Sequence, residues 1–121
     1  MIFAETALKG AYLIDLEPNS DARGFFARTF CAKEFEDRAL SPAVAPCNVS
    51  FSYRKGTLRG MNFQIPPASE TKLVRCIAGA IYDIIIDLRS DSPTYLAHIA
   101  AELTAKNMRL SRTPGPALIQ A

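Results

Sequence analysis

Five polar side chains recur along the middle of the chain, and their types suit recognition of an anion. They are Asn48, Arg59, Asn62, Gln64 and Lys72. If they converged in a cavity, two cations and three amides would offer hydrogen bonds to an oxygen-rich, anionic ligand. The alternative is the solvated face of a β-sheet, and the residues alone do not decide between the two.

A second group of residues combines cations with aromatic rings. Arg23 and Arg28 flank the adjacent pair Phe25 and Phe26. Such a group could clamp a phosphate and a base. Taken alone, the pattern is more typical of exposed arginines beside a core phenylalanine.

Three further ionisable residues lie in apolar segments. Asp83 and Asp87 share one face of a segment rich in isoleucine, and they could form an acid pair. Contacts at a sheet edge, or pairing with arginines, explain them more simply. His98 is the sole histidine, and alternation groups it with Leu96 and Ala100. We therefore expect a partly buried, hydrogen-bonded histidine and not a catalytic one.

The cysteines indicate neither a disulfide framework nor a metal site. The chain has three, Cys31, Cys47 and Cys76, and none forms a CxxC pair. With a single histidine and widely spaced thiols, we expect no zinc site. The odd count and the start of the sequence predict reduced thiols and a cytoplasmic location.

The composition is that of one ordinary globular domain. The 121 residues carry a net charge of +2, and the basic residues are scattered. The electrostatic field of such a small, dispersed charge is too weak to predict a nucleic-acid or membrane-surface partner. The longest apolar run, residues 84–86, is far too short to span a bilayer.

Strand signals recur about every ten residues with turn residues between them, which predicts an all-β fold. A short helix is expected over residues 32–40. Strict alternation puts Arg59 and Asn62 on opposite faces, so both can face one cavity only with an irregularity at Gly60. The tail from residue 111 has no clear period, and its prolines argue against a helix or a central strand there. The predicted strands are residues 11–16, 25–30, 48–53, 57–64, 72–77, 81–88 and 95–103.

Several motifs in combination resemble one enzyme family, the dTDP-4-dehydrorhamnose 3,5-epimerases. The resemblance runs from about residue 8 to residue 107. It implies a cupin-like antiparallel jelly roll and a homodimer in which an N-terminal strand joins the partner's sheet. The motifs are RGFFARTF at 23–30, CNVS at 47–50, KGTLRGMNFQ at 55–64, KLVRC at 72–76, GAIYD at 79–83, DLRSDSPTY at 87–95 and ELTA at 102–105.

The resemblance also implies an activity and a ligand. The family epimerises C3 and C5 of a 4-keto-6-deoxyhexose attached to dTDP, in dTDP-rhamnose biosynthesis, without a metal or an organic cofactor. The expected ligand is therefore such a dTDP-linked sugar, or dTDP. By resemblance, Arg23 and Arg59 bind the diphosphate and Phe26 lies near the nucleotide. Asn48 contacts the substrate, and Lys72 stabilises the enolate.

Three departures from the family pattern bear on catalysis. Asn62 occupies the position of the histidine base, and Pro46 replaces a substrate-binding glutamine. The pattern stops after Asn107, before the family's catalytic tyrosine and the aspartate that orients the base. We therefore expect residues 1–121 to form a single truncated domain with a divergent tail at 108–121. Whether the chain is a working epimerase stays open; the alternative is a non-catalytic nucleotide-sugar-binding module or a degenerate paralogue.

Overall fold

The computed structural model describes residues 1–115 and 118–120, the last three for their backbone only. Its regular elements are antiparallel strands and one short helix, which confirms the predicted fold class. No helix in this part of the chain is long and apolar enough to cross a membrane. The elements are β1 (Ile2–Glu5), β2 (Tyr12–Asp15), β3 (Asn19–Asp21), β4 (Gly24–Phe26), α1 (Ala32–Glu36), β5 (Lys72–Arg75), β6 (Ala80–Asp87), β7 (His98–Thr104), β8 (Leu110–Thr113) and β9 (Leu118–Gln120).

The chain divides into two compact units. The first unit comprises Met1 and residues 16–58, and the second comprises residues 2–15 and 59–121. The first contains the β3–β4 hairpin and α1. Within it, Phe35 of α1 is buried and its ring centroid lies 4.9 Å from that of Phe30. This aromatic contact anchors the helix.

The helix α1 ends four residues earlier than the sequence predicts. Ala39 has a φ of 55°, which is the left-handed conformation. The Leu40 amide donates to the Phe35 carbonyl and the Ala39 amide donates to the Glu36 carbonyl, both at 2.9 Å. This pair of bonds is a Schellman motif, which satisfies the last helical carbonyls and turns the chain away. The helix-forming residues beyond Glu36 therefore form a turn.

The second unit contains two antiparallel sheets, with strand orders β1-β2-β8-β5 and β7-β6-β9. Side chains from both sheets form its core. Leu13 of β2 and Val74 of β5 pack against a buried cluster that includes Ala101 and Leu103 of β7. The alternation of apolar residues along these strands has the period expected when one face of each sheet is buried.

The predicted strands at residues 48–53 and 57–64 do not form, and β4 stops at Phe26, before the end of the strand predicted over 25–30. Val49, Phe51 and Tyr53 alternate as in a strand, yet they are 79%, 69% and 93% exposed. Alternation stabilises a strand only when one face is buried and the backbone pairs with a neighbour. Residues 48–58 belong to no sheet of the described chain, and Asn62 makes only an isolated bridge.

The sequence missed four strands, of which β8 matters most. It lies between β2 and β5, and its four residues are all buried. Burial of polar residues on both faces leaves no alternation to detect. β9 is an edge strand next to β6. Residues 111–113, however, belong to the central strand β8, so the prediction that the tail from residue 111 contains no central strand is wrong there; β8 ends at Thr113, before Pro114. β1 and β3 are only four and three residues long.

Candidate functional site

Arg23 lies in the two-residue turn of the β3–β4 hairpin, where Asp21 is opposite Gly24. The Asp21 carboxylate accepts hydrogen bonds from the Arg23 amide (2.8 Å) and from the guanidinium Nη2 (2.7 Å). The guanidinium contact holds the pKa of Asp21 below its usual value and raises the pKa of Arg23. The Arg23 side chain is 91% exposed, so this cation is presented to solvent.

A cavity of about 220 Å³ opens beside this turn. Phe25 and Phe26 are exposed aromatic rings, unusual for side chains of this size. An exposed ring beside a cation provides both a stacking surface and a phosphate donor. Two of the predicted site residues, Arg23 and Phe26, thus line one cavity. Its lining residues are Asn19, Asp21, Arg23, Gly24, Phe25 and Phe26.

A larger cavity of about 410 Å³ lies on the other side of Phe26, within the same unit. Its charges are already paired. The Arg28 Nη1 lies 3.2 Å from Glu34 Oε2, and the Met1 ammonium contacts Glu17 and Glu34. The ammonium holds the pKa of Glu34 below its usual value. Its two carboxylates balance its two cations, as Asp21 balances Arg23 in the smaller cavity. The difference is exposure, since the Arg23 side chain is 91% exposed and that of Arg28 is 61% exposed.

Lys72 begins β5 and lies on the side of the strand that faces the core. Alternate residues of β5 are half-buried, and Val74, on the same side as Lys72, packs against the core cluster. Across the sheet, Lys72 is opposite the buried Thr113 of β8. The Lys72 Nζ lies 3.8 Å from Glu70 Oε1. A partly desolvated cation at such a position stabilises a developing negative charge better than a fully hydrated one.

Gln64 joins the same neighbourhood through Glu70. The amide is best oriented with its nitrogen donating to the Ala68 carbonyl at 3.0 Å and to Glu70 Oε1 at 3.3 Å. The Glu70 carboxylate therefore contacts both Gln64 and Lys72. This links two members of the predicted polar stripe.

The other three predicted residues are exposed, and they divide between the units. Asn48 belongs to the first unit, whereas Arg59 and Asn62 belong to the second. Gly60, between Arg59 and Asn62, has a φ of 97°, but the bulge predicted there requires a strand over residues 57–64, and that strand does not form. That Asn48, Arg59 and Asn62 meet one ligand stays a prediction.

A buried hydrogen bond joins the two sheets of the second unit. The Ser111 hydroxyl of β8 donates to Asp83 Oδ2 of β6 at 2.5 Å. Both residues are buried. The sequence offers a signal for Asp83, a carboxylate in an apolar strand, but none for its partner, because the tail from residue 111 has no clear period.

Asp87 pairs with an arginine, as predicted. Its fully buried carboxylate accepts bonds from Arg89 Nε (2.9 Å), Ser92 Oγ (2.7 Å) and Thr94 Oγ1 (2.6 Å). The Arg89 guanidinium, more than any other group, holds the pKa of Asp87 well below its usual range. This cluster closes the loop between β6 and β7 and has a structural explanation.

The prediction of a partly buried histidine is wrong. His98 is exposed at the start of β7, opposite Ile86. The other face of β7 carries Ala101 and Leu103 to the core, so alternation directs His98 to solvent. Over residues 1–115 and 118–120, no cluster of three histidine, cysteine or acidic side chains could hold a metal ion.

Comparison with protein families gives a match over residues 5–114 to the model described as dTDP-4-dehydrorhamnose 3,5-epimerase. Curated proteins of that name are similar to the chain. The one from Sinorhizobium fredii is 36% identical over 107 residues, which is 88% of this chain and 55% of the relative. The one from Methanothermobacter thermautotrophicus is 39% identical over 107 residues, covering 88% and 57%. The chain thus spans a little over half the length of these relatives.

Solved structures agree with the sequence comparisons. The Bacillus anthracis epimerase, crystallised with TDP and PPi bound, has a TM-score of 0.92 and 35% identity, over 98% of this chain and 67% of that one. The Mycobacterium tuberculosis epimerase has a TM-score of 0.89 and 30% identity, covering 99% and 60%. A double mutant of a Streptomyces bikiniensis 3'-monoepimerase, with histidine changed to asparagine and tyrosine to phenylalanine, was crystallised with dTDP. It has a TM-score of 0.84 and 28% identity, covering 96% and 58%.

Proposed function

The chain belongs to the dTDP-4-dehydrorhamnose 3,5-epimerase family, and from that membership we propose that it binds a dTDP-linked 4-keto-6-deoxyhexose. The observation that carries the proposal is the cavity that the exposed Arg23 and Phe26 both line. Relatives support the choice of ligand, since one was crystallised with TDP and PPi and one, from Legionella pneumophila, with dTDP-4-keto-L-rhamnose.

In this proposal the diphosphate and the nucleoside are recognised by different chemistry. Arg23 and Arg59 supply charge-assisted hydrogen bonds to phosphate oxygens. Phe26 supplies an aromatic face for the nucleoside, and Asn48 supplies an amide for the polar groups of the substrate. The greater exposure of the Arg23 guanidinium, 91% against 61% for Arg28, favours the Arg23 side for the phosphates.

The proposed reaction chemistry depends on the ketone of the sugar. A ketone at C4 acidifies the hydrogens on C3 and C5, so removal of either proton leaves an enolate. The Lys72 ammonium would stabilise the enolate oxygen, and its half-buried position strengthens that interaction. Because the sugar itself delocalises the charge, the proposal requires no metal and no organic cofactor.

Asn62 limits the proton-transfer step. A neutral amide is a very weak base, so it cannot accept the C3 or C5 proton at neutral pH. Loss of a positioned general base typically lowers the rate by about 10²–10⁴. This favours a second candidate function, nucleotide-sugar binding without efficient epimerisation. The monoepimerase mutant in which a histidine is changed to asparagine was crystallised with dTDP, which supports nucleotide binding by a related chain that carries such a substitution.

We also propose a homodimer and a cytoplasmic location. Within the described residues β1 is an edge strand of its sheet. The family resemblance implies that an N-terminal strand joins the partner's sheet, and an edge strand is open to such pairing. All three cysteines are free thiols, which suits a reducing compartment. Isothermal titration calorimetry with dTDP tests the proposed function. Binding supports it, and no heat of binding at millimolar dTDP contradicts it.

A further inference from the structure

The Asp21 carboxylate contacts only one edge of the Arg23 guanidinium. The N–H donors of the other edge are therefore available to a ligand. Resting on the proposed function, we propose that Asp21 is a positioning residue that presents the opposite edge of Arg23 to the diphosphate of the ligand. The proposal rests on the geometry of the β3–β4 turn and on a count of the guanidinium hydrogens.

A guanidinium has five N–H donors in a planar fork. Asp21 Oδ2 accepts from Nη2 at 2.7 Å and from Nε at 3.3 Å, with Oδ1 at 3.4 Å from Nε. These contacts occupy the Nε–Nη2 edge. Nη1 makes no hydrogen bond within the described part of the chain. One N–H of Nη1 and the outer N–H of Nη2 therefore form a second, parallel pair of donors, which is the arrangement that binds a phosphate in a bidentate manner.

The turn fixes the carboxylate as well as the arginine. Asp21 Oδ1 accepts the Arg23 backbone amide at 2.8 Å, so one side chain ties both the backbone and the side chain of Arg23. The following residue, Gly24, has a φ of 139°, which other residues adopt only with strain. Across the hairpin, Asn19 is opposite Phe26, and both line the same cavity as Arg23. Arg23, held by Asp21, and the exposed Phe26 thus line one cavity.

The expectation that removal of Asp21 strengthens phosphate binding also has a physical basis. A carboxylate near a phosphate repels it, so removal of Asp21 could tighten binding by Coulomb interaction alone. An arginine side chain that is 91% exposed loses considerable rotamer entropy when a ligand fixes it. Because Asp21 has already restricted the guanidinium, part of this entropy is lost before the ligand binds. We expect this restriction to outweigh the repulsion, which water and salt screen at an exposed site.

The test uses two variants that separate the turn from the ion pair. Asp21→Asn and Asp21→Ser each keep an oxygen that can accept the Arg23 amide, but neither carries a carboxylate for the guanidinium. Calorimetry at physiological salt would measure dTDP, pyrophosphate and thymidine with each protein. Asp37→Asn is the matched control, since it makes the same change of charge at an exposed ion pair with Lys33 in the same unit.

We expect both Asp21 variants to bind dTDP and pyrophosphate about three- to tenfold more weakly, the effect of losing one charge-assisted restraint. Thymidine affinity should not change, and Asp37→Asn should bind all three probes like the unmodified chain. In an Arg23→Ala background, Asp21→Asn should have no further effect on pyrophosphate.

Unchanged or tighter pyrophosphate binding in both Asp21 variants would overturn the inference and leave the proposed function intact. The same loss for thymidine as for pyrophosphate would overturn it too, because the effect would then be a general disturbance of the hairpin. Absence of dTDP binding by the unmodified chain would instead overturn the proposed function, and the inference with it.

Discussion

Ser111 of β8 donates a 2.5 Å hydrogen bond to the buried carboxylate of Asp83 on β6, and this bond joins the two sheets of the second unit. Ser111→Ala leaves the carboxylate without this donor. We expect the free energy of unfolding to fall by about 1–3 kcal/mol, the usual cost of removing the partner of a buried hydrogen-bonding group. Urea denaturation measures the change, with Ser20→Ala on the exposed β3 as control. Equal stability of the two variants would show that the bond contributes nothing.

Asp87 gives the molecule a dependence of stability on pH. The Arg89 guanidinium lowers the pKa of the folded carboxyl from its ordinary value of 3.8. A depressed folded pKa contributes stability that is complete above the unfolded pKa and is lost as the pH falls below it. Asp87→Asn should therefore cost about 3–5 kcal/mol at pH 7, as when one partner of a buried ion pair is removed.

The difference in stability between Asp87→Asn and the unmodified chain should be the same at pH 7 and pH 5, and smaller at pH 3. Urea denaturation at the three pH values checks this, and Asp37→Asn, at an exposed site, should show little effect at any of them. A difference that is constant down to pH 3 would argue against the Arg89 contact as the source of the stability.

Arg59→Ala should weaken dTDP binding by about 1.5–3 kcal/mol, because a charged hydrogen bond to phosphate is lost. Arg54→Ala is the control, since it removes another exposed arginine five positions earlier. Calorimetry that gives the two variants the same affinity would remove Arg59 from the site.

Association through the edge of β1 should depend on Ile2, which is 54% exposed. We expect the chain to sediment as a dimer and Ile2→Lys to shift it towards monomer, because a charged side chain at a sheet edge opposes pairing. Val44→Lys makes the same change at a site 60% exposed and outside every strand, and it should leave the dimer intact. A monomer at high concentration for the unmodified chain, in sedimentation velocity, would contradict the dimer.

The strands that sequence reasoning found are those in which periodicity and burial agree. The strand predicted over residues 81–88 forms as β6, Ala80–Asp87. Its isoleucines are β-branched, and its residues from Ala80 to Ile86 pair with β7. The segment at 48–53 shows equally clean alternation but lies outside the sheets, since alternation does not reveal whether a neighbouring strand is present. β8 shows the reverse case, with buried pairing and no period.

The sequence predicts only part of the candidate site, because motifs identify residues but do not reveal the contacts that the fold creates between them. Motif resemblance proposes Arg23 and Lys72; Arg23 lines a cavity and Lys72 is half-buried, and their roles stay predictions. It could not identify Asp21 as the partner of Arg23, because the contact depends on the geometry of a two-residue turn. Ser111 was missed because its strand was missed.

Asn62 is the residue on which the central claim depends. The account predicts that the chain binds the nucleotide sugar but removes the C3 and C5 protons very slowly. The direct measurement is NMR of dTDP-4-keto-6-deoxyglucose incubated with the protein in D₂O, following both ring protons, with Asn62→His as the reference that restores an imidazole. We expect little exchange by the unmodified chain and faster exchange by Asn62→His. Rapid exchange by the unmodified chain, abolished by Lys72→Ala, would contradict the account and show that another group serves as the base.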